Sequence, residues 1–156
     1  MRYLSGSIDD REYGIPLSQV REVIAFPEIS RIPNMPADFL GIMNLRESII
    51  PVLDLRRKFG APQILTHETA VIICSLERGQ VGLVVDCIHG VCAPSEQDVR
   101  SLEHFGAEVL TSHPGLAVVA KEGRLVLIID VALTLSASEA ELEGMRKTLG
   151  QEKKSA

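Results

Sequence analysis

Three cysteines and four histidines are the side chains here most able to do covalent or metal chemistry. A cysteine nucleophile needs a base within reach and an electropositive, accessible setting. Cys74 sits inside the apolar run VIICSL, where the pattern favours a small buried hydrophobe. Cys87 and Cys92 flank His89 in VVDCIHGVC, so a small cysteine-dependent enzyme is one hypothesis to carry forward. No Cys-x-x-Cys and no His-x-x-x-His spacing occurs, and HETAV at His67 lacks the second histidine of a zinc-protease helix. The thiols therefore read as reduced, and His67, His89, His104 and His113 as surface residues of turns and connectors. Asp54 and Asp130 are the carboxylates at matching places, and capping the turn that follows each explains both without acid–base work. There is no Gly-x-Gly-x-x-Gly and no phosphate-binding loop. No catalytic residue, metal ligand or cofactor is expected.

The unusual chemistry lies elsewhere, in charges set among apolar residues. GIMNLRESIIPVLDLRRKFG places Asn44, Arg46, Glu47 and Ser48 between two apolar runs, and QVREV places Glu22 between Val20 and Val23. Two readings stay open on physical grounds: solvated surface charges, or a mixed contact patch whose arginine fork pairs with carboxylates of a binding partner.

These residues must be positioned by a mainly β chain. At 156 residues it suits one domain or two very small ones, and 46% hydrophobic residues give it a globular composition. Aromatics are scarce and Trp is absent, so the core must be aliphatic. The net charge of −5 offers no basic stripe, which argues against a nucleic-acid partner and so against an RNA-binding barrel. No apolar run reaches membrane-spanning length, and MRYLSGSIDDREYG has no apolar signal core, so a cytoplasmic protein without direct membrane insertion is expected.

Short strands punctuated by Gly and Pro run through the first half. YLSGSI is a weak strand, DDRE a turn, and YGIPLSQVREVIAF a strand whose phase shifts midway, with a bulge or bend expected near Ser18. LGIMNL and SIIPVLDL flank the polar knot, with Pro51 favouring an edge strand or a bulge. DLRRKFG reads as a helical turn capped by Asp54 and stopped by Gly60. The second half repeats the plan: Tyr3 through Phe26 lies over Val71 through Pro94 at one constant offset, pairing Gly14 with Gly82 as expected bulge sites. IIPVLDL then lies over LVLIIDV, placing Asp54 on Asp130. Duplication predicts two similar five-stranded small β-barrels packed round a shared aliphatic core, with a groove at their seam. LAVVAKEGRLVLIIDVAL is a hairpin turning at Lys121–Gly123. A C-terminal helix is expected over 137–150, with a capping box at Ser138 and Glu141 and a frayed tail over 151–156.

YGIPLSQVREV, RIPNMP, GIMNLRESIIPVLDLRRKFG, VGLVVDCIHGV and RLVLIIDVALTL follow the order found in CheW-like chemotaxis coupling proteins, and the chain resembles that adaptor family over nearly its whole length. The resemblance implies one domain of two interleaved barrel subdomains, roughly 15–85 and 1–14 plus 86–136. It implies a non-enzymatic scaffold that binds the helical hairpin of a chemoreceptor's cytoplasmic tip and the regulatory domain of a chemotaxis histidine kinase. Such a scaffold is cytoplasmic and recruited to membrane-associated arrays, serving swimming, surface motility or another two-component output. Val20, Glu22, Gly41 and Arg46 match the family's receptor-contact positions, with Asn44, Glu47 and Ser48 in the hairpin turn that tunes the site. The family usually has Gly where this chain has Glu47. A left-handed glutamate costs about 1–2 kcal/mol, so either the turn uses another geometry or the site carries strain. The second departure is the first strand, weakened by Ser5 and Gly6.

Overall fold

The computed structural model describes residues 1–77, 79–101, 117–121 and 123–135. Eleven strands of the described residues form two sheets. In chain order they are β1 (Tyr3–Ile8), β2 (Arg11–Pro16), β3 (Val20–Ala25), β4 (Phe39–Leu45), β5 (Ser48–Asp54), β6 (Ala70–Leu76), β7 (Gly79–Val85), β8 (Cys87–Cys92), β9 (Val99–Ser101), β10 (Ala117–Lys121) and β11 (Arg124–Ile128). Among the described residues helix is confined to a 3₁₀ turn at Leu17–Gln19, α1 (Leu55–Lys58) and α2 (Val131–Thr134). The expected C-terminal helix and tail lie outside the described residues, as do His104 and His113.

The five-stranded sheet is ordered β3-β6-β7-β5-β4 and the six-stranded one β8-β1-β2-β11-β10-β9. Five strands per unit therefore holds for one sheet, while the other gains the three-residue β9. Each sheet draws on both sequence repeats. β6 and β7 of the second repeat sit among β3, β4 and β5 of the first, and β1 and β2 sit among strands of the second. The repeats have exchanged their leading hairpins, and the chain crosses between sheets at the 3₁₀ turn, where the strand phase shifts near Ser18.

The duplication is visible atom by atom. Both parallel pairings fall in the same register, Val52 with Gly82 and Ile128 with Gly14. A single extra residue bulges from each third strand, Arg21 in β3 and His89 in β8. Gly14 and Gly82, expected at bulges, instead sit in unbroken ladders. A Cβ on Gly14 would lie 2.8 Å from the Ile128 Cδ1, and one on Gly82 would lie 2.8 Å from the Val71 Cγ1. Each glycine leaves room for the apolar interior of its own sheet.

Three apolar clusters follow from strand alternation. In β6, Ile72 and Cys74 face a core shared by both sheets, and Val71 and Ile73 face a cluster with Met43, Ile50, Val52 and Val84. A third cluster, Tyr3, Val119, Val126 and Ile128, lies on the six-stranded sheet. Burial on both faces explains why AVIICSL reads as a continuous apolar run, each large side chain contributing about 1.5–3 kcal/mol. Tyr13 and Phe59 stack with centroids 5.0 Å apart, joining the two sheets.

Two further expectations change. β1 is a central strand, paired with both β2 and β8, and its small residues are packed rather than weak: Ser5 is buried and its Oγ donates to the Glu12 Oε1 at 2.5 Å. β5 is not an edge strand either. β4 is the edge, and Pro51 stands one residue before the β5–β7 ladder begins at Val52.

Candidate functional site

Arg46 and Glu47 are the two loop residues of the β4–β5 hairpin, with Leu45 paired to Ser48. Their φ values are +48° and +71°. Left-handed backbone at both central positions is what a type I′ turn needs to match the right-handed twist of its strands. The tight turn is therefore present without glycine, and Glu47 holds the strained conformation.

Arg46 is clamped. Its Nη1 donates to the Glu22 Oε1 at 2.6 Å and its Nη2 to Oε2 at 2.8 Å, a two-bond fork across a sequence separation of 24. β3 and β4 are the two edges of the five-stranded sheet, so the sheet coils far enough for side chains of opposite edges to meet. The hydrogen bonds from Arg46 hold the Glu22 carboxyl below its usual range, and Glu22 in turn raises the guanidinium. Arg46 is 72% exposed and Glu22 23%. An ion pair this open adds little stability and is screened by salt. Its effect is to fix where two charges sit on the surface.

The other expected site residues divide. Asn44 and Ser48 are exposed on the same hairpin as Arg46. Val20 is half-buried and packs against the shared core. Gly41 is buried, with no side chain to present. Segment Ile29–Ser30 lies directly over it, and Ser30 and Ile42 exchange backbone hydrogen bonds of 2.9 and 2.8 Å. Gly41 permits that close approach and so shapes the edge that carries Arg46.

A groove of about 360 Å³ runs at the seam between the sheets, lined by Val23 and Ala25 of β3, Cys87 and Ile88 at the start of β8, and His67–Ala70. Val23 is 39% exposed. The groove expected between the two units is present, and β3 lines it with Val23, Ile24 and Ala25, directly after Glu22.

Sequence reading missed the buried charges. Asp54 caps α1 as expected, its Oδ1 accepting from the Arg56 N at 3.0 Å. Arg56, in the basic run of DLRRKFG, is 3% exposed and grips both Asp54 oxygens at 2.9 Å. Its Nη1 also reaches the Ile64 carbonyl at 2.8 Å and the Asp86 Oδ1 at 3.3 Å. Burial works against the guanidinium's charge, but Asp54 and Asp86 outweigh it and raise its pKa. The available signal was an arginine two residues after a capping aspartate that ends an apolar strand.

Cys74 is fully buried, and burial pushes its thiol up to about 12. Cys87 lies 3.9 Å from the His89 Nε2, a nitrogen that Ser7 Oγ also contacts. Among the described residues nothing bonds the other ring nitrogen, so the orienting third group of a nucleophile–base pair is missing there. No three potential metal ligands converge among the described residues, and none of their helices is long and apolar enough to cross a membrane.

Two interleaved sheets, a seam groove and a clamped charge pair at one rim define a β interaction module. The chain matches the CheW-like domain over residues 2–139 and belongs to that family, that of the chemotaxis coupling adaptors. It is 30% identical to the chemotaxis protein CheW of Klebsiella aerogenes over 142 residues, covering 90% of this chain and 84% of that one. Against the chemotaxis protein CheW of Bacillus subtilis it is 29% identical over 135 residues, 86% of each. Its fold is similar to the crystal structure of the scaffolding protein TtCheW from Thermoanaerobacter tengcongensis, with a TM-score of 0.70 and 25% identity over 83% of this chain and 88% of that one.

Proposed function

We propose that the chain is a non-catalytic scaffold that holds a chemoreceptor's cytoplasmic tip against the regulatory domain of a chemotaxis histidine kinase. The observation that carries this reading is the Arg46–Glu22 fork, set on a strained turn at the rim of the five-stranded sheet. Because the fork is formed before a partner arrives, docking need not first order two long charged side chains. Val23 and Ala25 of β3, exposed at the groove, offer the area against which a helical hairpin packs, and Val20, packed on the shared core, braces that strand. Arg46 and Glu22 fix the register of that hairpin, with Asn44, Glu47 and Ser48 setting the aim of Arg46. Gly41 supports the edge from beneath. The protein reaches membrane-associated arrays through the receptor rather than by inserting into the bilayer.

A coupling protein must hold both partners at once. Size-exclusion chromatography of the chain, a receptor-tip hairpin and a kinase regulatory domain should give one ternary peak. The receptor and kinase pieces should elute apart without the chain. A chain that binds either piece alone but never both would overturn the scaffold reading.

A further inference from the structure

We propose that the loop over residues 61–69, with the β1–β2 turn beside it, is a second protein-docking surface. It takes a partner segment that sets a lysine or arginine among aliphatic side chains. Ile64 and Leu65 are consecutive and 65% and 64% exposed. The backbone beneath them is fixed from several sides. The Ile64 carbonyl accepts from the buried Arg56, the Gln63 side chain accepts from the Arg57 Nε at 2.6 Å, and the Thr66 N–H donates to the Thr69 Oγ1 at 2.9 Å. The Thr69 and Glu68 amides turn back onto Thr66 at 3.2 and 3.1 Å. Two aliphatic side chains held in water by a buried arginine are pre-ordered anchors, and pre-ordering lowers the entropy lost on binding.

Charge names the occupant. A cavity of about 210 Å³ beside the loop is lined by Asp9, Pro62, Ile64, Thr66 and Asp86. Asp86 is already engaged, accepting from Arg56 on one oxygen and from the Asp9 N–H on the other. Asp9 and Asp10 form the two-residue turn between β1 and β2, and both are exposed. Among the described residues no cation pairs with either carboxylate. The patch is therefore aliphatic on one side and acidic on the other, and its complement is a basic side chain flanked by apolar ones. None of these residues belongs to the Arg46–Glu22 rim. The other end of the same loop, His67–Thr69, lines the seam groove, so a partner here would sit beside one in the groove.

The test is an NMR titration of the isotope-labelled full chain with a synthetic amphipathic peptide of leucine and lysine. Shifts should centre on Asp9, Asp10, Ile64 and Leu65. Affinity should fall about tenfold or more in Ile64→Ser/Leu65→Ser and in Asp9→Asn/Asp10→Asn, a change of about 1.4 kcal/mol. These side chains are exposed and Asn tolerates left-handed backbone, so both variants should fold. A peptide with glutamate in place of lysine should leave the loop unshifted. Shifts confined to other surfaces, or variants that bind the leucine–lysine peptide like the parent, would overturn the proposal.

Discussion

β4–β5 and β10–β11 are the same hairpin used twice, and they differ at the turn. Each joins its strands through two residues, Leu45 pairing with Ser48 in the first and Lys121 with Arg124 in the second. The second turn places Gly123 at φ +75°, where the first places Glu47 at +71°. Glycine meets that angle freely, and glutamate does not. The lines of charge differ as well. α1 carries the buried Asp54–Arg56 pair, whereas α2 puts the exposed Ala132 where Arg56 stands in the first half, and its Val131 N–H donates to the Gln19 Oε1 at 3.0 Å. At these matched positions the second half has a glycine and a neutral alanine where the first has a left-handed glutamate and a buried arginine. That asymmetry puts the receptor-facing site of our proposal on the first half.

The comparison breaks most severely at the buried pair. Arg56→Ala leaves Asp54 buried at 1% exposure without its ion-pair partner, and should destabilise the fold by about 3–5 kcal/mol. The matching change in the second half, Ala132→Ser, should stay within about 0.5 kcal/mol. Urea unfolding measures both, and comparable losses would mean that the two helical turns are anchored alike.

Next in size is the turn. Glu47→Gly should stabilise the protein by about 1 kcal/mol by relieving left-handed strain, and Gly123→Ala should destabilise it by a similar amount. Loss of stability in Glu47→Gly would show that the Glu47 side chain contributes more than its backbone costs.

The smallest effect is a titration. With its folded pKa lowered by Arg46, Glu22 contributes stability that is fully present above about 4.5 and fades as pH falls through the lowered value. In Arg46→Ala the Glu22 midpoint, followed by carboxyl-carbon NMR, should rise towards 4.5. A midpoint that stays low would assign the shift to another group.

Much of this was legible in the sequence because duplication leaves an ungapped register. Tyr3 over Val71 and Asp54 over Asp130 are enough to expect two like β units, and the residues of the hairpin and of α1 announce themselves by turn and capping chemistry. The rest depended on long-range geometry. A strand glycine signals a bulge or a close approach equally well, and only the neighbours of Gly14 and Gly82 decide for the second. Arg56 sits in a basic run that looks solvated until Asp54 and Asp86 close over it. Glu22 and Arg46 were each singled out, but their pairing could not be read, because it needs a sheet coiled until its edges meet.

Each sheet carries a glutamate–arginine pair at its surface, Glu22 with Arg46 in one and Glu12 with Arg124 in the other. The most direct test measures receptor-tip affinity by calorimetry in Arg46→Ala and Arg124→Ala. Arg46→Ala should weaken binding about tenfold or more, and Arg124→Ala should leave it within about twofold. Equal losses in both variants, or full binding by a folded Arg46→Ala, would contradict the assignment of the receptor site to the first half.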